Sequence, residues 1–245
     1  MTAQTCKPAA KAHASGRGRT APVTLVVHGG AGVIDRAAMT AGVERAYREG
    51  IAAALLAGHR VLASDGSSLD AVTAAVAVFE DDPLFNAGRG AALTADATAE
   101  LDAAVMDGAT LRAGAVTLVT TVKNPVLLAR LVMEQTHHVL LAGQGAEALA
   151  RRHGLEIVDP SYFITARRFK ALQLVRAKPK AAGEAVTEAD KHGTVGAVAL
   201  DRAGNLAAAT STGGRSNKLS GRVGDSPIVG AGTYANNATV AVSGT

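Results

Sequence analysis

Between about Thr40 and Gly58, apolar residues recur at Val43, Ala46, Tyr47, Gly50, Ile51 and Ala54, the spacing of one face of a helix, with Gly58 as its stop. A second helix starts near Ser68, a good N-cap residue, carries Leu69, Val72, Val76 and Phe79 on one side, and ends before Asp81-Asp82-Pro83. Upstream, Val23 to His28 is a β-branched run that leads into Gly29-Gly30-Ala31-Gly32, a strand entering a tight glycine turn. Phe85 to Gly90 is too rich in glycine for either element and reads as an ordered loop. Strand-like runs follow at Ala103–Met106 and Ala115–Val122, and Pro125 opens a helix at its favoured first turn. Val139–Leu141 and a helix around Ala146–Arg152 complete this half.

From Lys178 to Lys191 the composition turns to Lys, Glu, Ala, Pro and Gly without an apolar face, which reads as a linker. Beyond it, Thr194–Leu200 and Leu206–Ser211 are β-rich runs joined by Asp201–Asn205, a turn between antiparallel strands, and Thr239–Ser243 is a third run. A doubly wound sheet predicts regular alternation of strand and helix throughout, and the second half is strand after strand. Strands that are apolar on both faces, with helices before and after, point instead to an αββα sandwich.

Composition refines the core. The chain is 48% hydrophobic but only 3% aromatic and lacks Trp, so Ala, Val, Leu and Gly must fill the interior and the layers must pack closely. The net charge of +4 belongs to residues 1–20, where Lys7, Lys11, Arg17 and Arg19 stand without an acid; elsewhere 21 bases balance 21 acids. That stretch reads as a disordered basic leader over residues 1–21. The neutral body argues against a nucleic-acid partner, which would require a basic face. Cys6 is the only cysteine, so no internal disulfide forms. The first residues lack the apolar run of a secretory signal and no later run reaches the length of a membrane span, so the expected location is the cytoplasm, with no membrane partner.

Candidate chemistry is sparse in the first half. A dinucleotide loop built on Gly30 and Gly32 needs a third glycine where Asp35 stands, and no G-x-S-x-G elbow accompanies the glycine cluster, which leaves a close-packing turn. The histidines offer one close pair, His137-His138, and neither H-E-x-x-H nor C-x-x-C occurs, so a zinc site has little support. The second half differs, because the linker runs through His192-Gly193 straight into Thr194. An internal threonine is a poor nucleophile. One with a free α-amine, whose ordinary pKa is about 7.7–8.0, carries its own base. The plainer alternative is a threonine that merely begins a strand.

The segments around it resemble a known family. KHGTVGAVAL (Lys191–Leu200), GNLAAATSTGG (Gly204–Gly214), GRVGDSPIVGAG (Gly221–Gly232) and HGGAG (His28–Gly32) are similar to the plant-type L-asparaginases, or isoaspartyl peptidases, which are N-terminal-nucleophile hydrolases. FNAGRG (Phe85–Gly90), ELDAAVMDG (Glu100–Gly108) and KNP (Lys123–Pro125) fit the same pattern, so the likeness spans roughly residues 23–245. The resemblance implies the αββα sandwich, self-cleavage between Gly193 and Thr194, and two subunits that pair into a dimer of heterodimers. Residues 22–177 would belong to the first subunit, 178–193 to the linker, and 194–245 to the start of the second. By the same resemblance Thr194 is the nucleophile, Thr212 hydrogen-bonds near it, Arg222 grips a substrate α-carboxylate and Asp225 pairs with its α-ammonium. No cofactor is implied beyond a structural sodium ion on the backbone carbonyls of Phe79, Glu80, Asp82, Phe85, Ala87 and Arg89.

The expected activity is hydrolysis of β-aspartyl dipeptides and of asparagine, with a glycosylasparaginase-like specificity as the alternative. In the family, the threonine matching Thr245 and a following glycine form the oxyanion hole, and several tens of residues come after. A sequence that stops at Ser243-Gly244-Thr245 is therefore expected to be a fragment of a longer protein, the alternative being a shortened, catalytically impaired product with a binding or assembly role.

Overall fold

Each long helix begins where a hydroxyl can satisfy an exposed amide. In the computed structural model, helix α1 (Ala41–Ala63) is capped by Thr40, whose Oγ1 accepts the Val43 N–H, and α2 (Ser68–Asp81) by Ser67, whose Oγ accepts the Asp70 N–H. The structure describes residues 22–31, 39–177 and 193–245. The leader at 1–21, the linker over 178–192 and Gly32 of the glycine turn lie outside the described residues.

A six-stranded sheet in the order β1-β5-β6-β2-β3-β4 is the centre of the molecule. It consists of β1 (Thr24–His28), β2 (Leu101–Asp107), β3 (Ala113–Val119), β4 (Leu140–Ala142), β5 (Val195–Leu200) and β6 (Leu206–Thr212). Every neighbouring pair is antiparallel except β3 and β4. The predicted turn at Asp201–Asn205 closes the β5–β6 hairpin, with Asp201 Oδ1 accepting the N–H groups of Ala203 and Asn205.

Alternation along the strands assigns the two faces. Val195, Ala197, Ala199, Ala207, Ala209, Ala103 and Val105 join the core formed with α1, α2, α3 (Pro125–Gln135) and α4 (Gly143–Arg152). The intervening Val198, Ala208 and Met106 pack on the other face beneath β7 (Thr233–Ala235) and β8 (Ala241–Ser243), an antiparallel pair. The molecule is thus a mixed α/β fold with a central sheet flanked by helices. Where two stacked sheets are expected, the described residues hold one broad sheet and a two-stranded pair against its free face. No helix among the described residues is long and apolar enough to cross a membrane.

Small residues let these layers approach. A Cβ on Gly58 would stand 2.8 Å from the Ala71 carbonyl oxygen and 2.7 Å from Leu25 Cδ2, so this glycine is a spacer between α1, α2 and β1. It does not stop α1, which runs on to Ala63. The predicted run Ala115–Val122 ends as β3 at Val119, one residue after Leu118, whose φ of 56° departs from extended backbone within the strand's last residues.

Helix α5 (Ala166–Ala177) and the short β7 have no counterpart in the sequence reading. Inside α5 only Arg168 and Leu172 are buried among Arg167, Lys170 and Arg176, so no apolar stripe marks it. Leu172 joins a small cluster with Phe163, Leu93 and Leu101, while the Arg168 guanidinium, its pKa pushed down to about 10 by burial, donates to the Gly90 carbonyl.

Candidate active site

Antiparallel pairing of Val195 with Ser211 leaves Thr194 and Thr212 side by side, at the start of β5 and the end of β6. By alternation both side chains leave the sheet on the face that carries β7 and β8, away from the helices. Thr194 Oγ1 donates to Thr212 Oγ1 at 3.1 Å and receives the Thr245 hydroxyl at 2.8 Å. Ser226 Oγ lies 3.2 Å away. A hydroxyl has one proton and two acceptor lone pairs. With its proton directed at Thr212, Thr194 has an acceptor position for each of the other two hydroxyls. Thr212 Oγ1 in turn accepts the Gly214 N–H at 2.9 Å.

These hydroxyls open onto a cavity of about 320 Å³, also lined by Gly193, Arg222 and Asp225. Arg222 is packed by glycines, since a Cβ on Gly214 or Gly224 would come within 3.2 or 3.1 Å of its Nη1. Arg222 and Asp225 form no ion pair with each other or with any described residue, so a cation and an anion are both available to a ligand in the cavity. All the predicted catalytic and substrate-binding residues, Thr194, Thr212, Thr245, Arg222 and Asp225, therefore come together in one place.

The glycine turn after β1 proves to be a seat for Gly193. Gly30 has φ +121°, and a Cβ there would lie 2.9 Å from the Gly193 Cα. The preceding His28 pairs with Gly196 in the β1–β5 ladder. Its ring hydrogen-bonds the Thr194 backbone, and its Nε2 is 3.0 Å from Ser243 Oγ. Burial outweighs the backbone bond and lowers the histidine pKa, which keeps the imidazole neutral at physiological pH.

A second layer supports Thr212. Asn86, from the glycine-rich loop, donates to the Gly214 carbonyl at 2.7 Å and accepts the Ala92 N–H at 2.7 Å, and its own carbonyl receives the Gly213 N–H at 3.1 Å. Glu80 is fully buried beneath Ser211, accepting its hydroxyl at 2.7 Å and the Val126 N–H at 2.9 Å. Burial pushes this carboxyl up to about 8, against the pull of those hydrogen bonds. Asp102, paired with Thr212 in the β2–β6 ladder, is also buried; burial raises its pKa, and Lys218 is the main opposing influence.

The six residues expected to offer carbonyls to sodium all lie in the segment from the end of α2 to Gly90. The carbonyls of Phe79, Asp82 and Ala87 accept N–H groups from Asp82, Phe85 and Gly90 of the same segment. Sequence reasoning missed Ser226, Arg215 and the side chain of His28. Ser226 directly follows Asp225, and a hydroxyl beside a predicted substrate-binding carboxylate was a usable signal. Arg215 lines the cavity but belongs to no pattern that spacing could single out.

A threonine ringed by hydroxyls, in a cavity that presents both an arginine and a carboxylate, is the equipment of a hydrolase working through a hydroxyl nucleophile. The chain belongs to the asparaginase family, whose sequence profile matches residues 21–245. It is 55% identical over 225 residues to isoaspartyl peptidase from Escherichia coli (strain K12), a match that covers 89% of this chain and 70% of that protein. Isoaspartyl peptidase/L-asparaginase from Mus musculus is 48% identical over 223 residues, covering 91% of this chain and 67% of that one. The protein of the same name from Homo sapiens is 46% identical over 225 residues.

Proposed function

We propose that this protein hydrolyses β-aspartyl dipeptides and the side-chain amide of L-asparagine, using Thr194 after self-cleavage of the Gly193–Thr194 bond. The observation that carries the reading is the convergence of Thr212, Ser226 and Thr245 on Thr194 Oγ1, within 3.2 Å, inside a cavity that also holds Arg222 and Asp225. The names of the related proteins support the choice of substrates.

In this mechanism Arg222 binds the substrate α-carboxylate and Asp225 its α-ammonium, which orients the side-chain carbonyl over Thr194. Thr194 Oγ attacks the carbonyl carbon while its proton passes to the residue's own α-amine. The Thr245 hydroxyl stabilises the developing oxyanion, and the amine returns the proton to the departing nitrogen. The resulting β-aspartyl ester is then opened by water, which the same α-amine deprotonates, and aspartate leaves. Thr212 keeps the Thr194 hydroxyl directed, and Gly193 supplies the carbonyl attacked in self-cleavage.

The same reading includes two subunits from one precursor, assembled as a dimer of heterodimers within an αββα sandwich in which β7 and β8 belong to the second sheet, and action in the cytoplasm. It also includes a sodium ion on the carbonyls of Phe79, Glu80, Asp82, Phe85, Ala87 and Arg89. Those residues fit such an ion, because Gly88 and Gly90 fold back against the Glu80 and Phe85 carbonyls, where a Cβ would collide. The ion would supply no chemistry beyond holding the loop that carries Asn86.

Thr194→Ala tests the proposal. The variant is expected to stay one band on a denaturing gel and to release no aspartate from β-aspartyl-leucine, asparagine or glycosylated asparagine. The wild type should split in two and act on the first two only. Activity in Thr194→Ala would end the mechanism.

A further inference from the structure

Arg215 stands out among the cavity residues because the reaction just described does not use it. It lines the cavity that holds Thr194, Arg222 and Asp225, and its side chain forms no hydrogen bond or ion pair with any described residue. The backbone around it is fixed on both sides. Gly213 N–H donates to the Asn86 carbonyl at 3.1 Å, Asn217 N–H to that of Leu93 at 2.9 Å, and Lys218 N–H to that of Arg215 itself at 3.2 Å. A half-buried arginine therefore lines the cavity from a held segment. Lys218 does not compete for the same ligand, because it is buried and its Nζ donates to the Glu100 carbonyl at 2.8 Å.

Charge counting indicates what Arg215 meets. Arg222 and Asp225 cancel each other and match the zwitterionic aspartyl half of either substrate. Arg215 leaves one positive charge over. Asparagine has nothing to offer it, since its leaving group is ammonia. A β-aspartyl dipeptide leaves as an amino acid that carries its own α-carboxylate, which gives the whole substrate one net negative charge.

Resting on the function proposed above, we infer that Arg215 is a specificity-determining residue that binds the α-carboxylate of the leaving amino acid and favours β-aspartyl dipeptides over asparagine. A guanidinium suits this task because its paired N–H groups match the two oxygens of a carboxylate. Partial exposure limits the gain to about tenfold rather than the larger factors of sealed ion pairs, and added salt reduces it.

The test compares kcat/KM for β-aspartyl-leucine, its C-terminal carboxamide and L-asparagine in wild-type protein, Arg215→Gln and Arg215→Lys. The wild type is expected to prefer the free acid over the carboxamide by about tenfold. Arg215→Gln should bring that ratio close to one and lower the dipeptide-to-asparagine ratio by a similar factor, and Arg215→Lys should recover part of both. A wild type indifferent to the carboxamide, or an acid-to-carboxamide ratio unchanged in Arg215→Gln, overturns the inference. A wild type that hydrolyses none of the three overturns the function instead. Calorimetric binding of the acid and its carboxamide to the same proteins then tests Arg215 separately, with equal affinities for the two counting against it.

Discussion

Replacing Gly193 with alanine adds one methyl group where the structure has no room for it. The new Cβ would face the Ala31 nitrogen and the Gly30 Cα and carbonyl carbon, each closer than 2.5 Å, whereas ordinary van der Waals contact begins at 3.4 Å. All three are backbone atoms, so no side chain can rotate away. Restoring normal contact takes a displacement of about 1 Å in either the glycine turn or Gly193, the residue proposed to donate the scissile carbonyl. Displacement on that scale near a reacting centre costs about a hundredfold in rate, and overpacking of this kind costs about 1–3 kcal/mol of stability. We expect Gly193→Ala to convert from one band to two about a hundred times more slowly than wild type in a denaturing-gel time course. Gly145→Ala is the matched control, since no atom lies within 4 Å of its added Cβ, and it should cleave at the normal rate. Cleavage of Gly193→Ala at the wild-type rate would refute the view that the glycine turn seats the scissile residue.

Two further substitutions probe the surroundings of Thr194. Thr212→Val removes the acceptor of the Thr194 proton and leaves the Gly214 N–H without its partner, so kcat should fall by at least tenfold while Thr212→Ser retains most of it. A Thr212→Val enzyme with unchanged kcat would remove Thr212 from the site. Asp102 is buried with its folded pKa above the ordinary 3.8, so the folded state holds its proton to higher pH than the unfolded chain does. That contribution to stability is complete below the unfolded value and is lost as pH rises through the folded one. In denaturant unfolding at intervals from about pH 4 to 7, wild type should therefore lose stability relative to Asp102→Asn as pH rises. A difference that stays level across the range would contradict the burial argument.

Much of this architecture was legible in the sequence because the interactions that create it are periodic or local. Helix α2 announced itself through Val72, Val76 and Phe79 at helical spacing, and the β5–β6 hairpin through a short polar turn between two β-rich runs. Thr194, Thr212, Arg222 and Asp225 were legible by another route, as residues in ordered motifs that resemble a family. Helix α5 was not, because its inward face is an arginine and a leucine and its partner is the distant Gly90 carbonyl. Gly58 was misread as a stop for a similar reason, since only the approach of α2 reveals what its missing side chain makes room for.

Taken alone, the amino-acid order determined most of the helices and strands, α5 and β7 excepted, and which residue types are available for chemistry, because these depend on neighbours within a few positions. The tertiary structure decided which of them meet. It set Gly193 against a turn some 160 residues earlier in the chain, and it brought Ser226 and Thr245 to Thr194 across separations of 32 and 51 residues. It also placed Arg215 in the lining of the same cavity. Those contacts follow from strand register and from the packing of layers, which are properties of the whole chain and leave no mark on any one stretch of it.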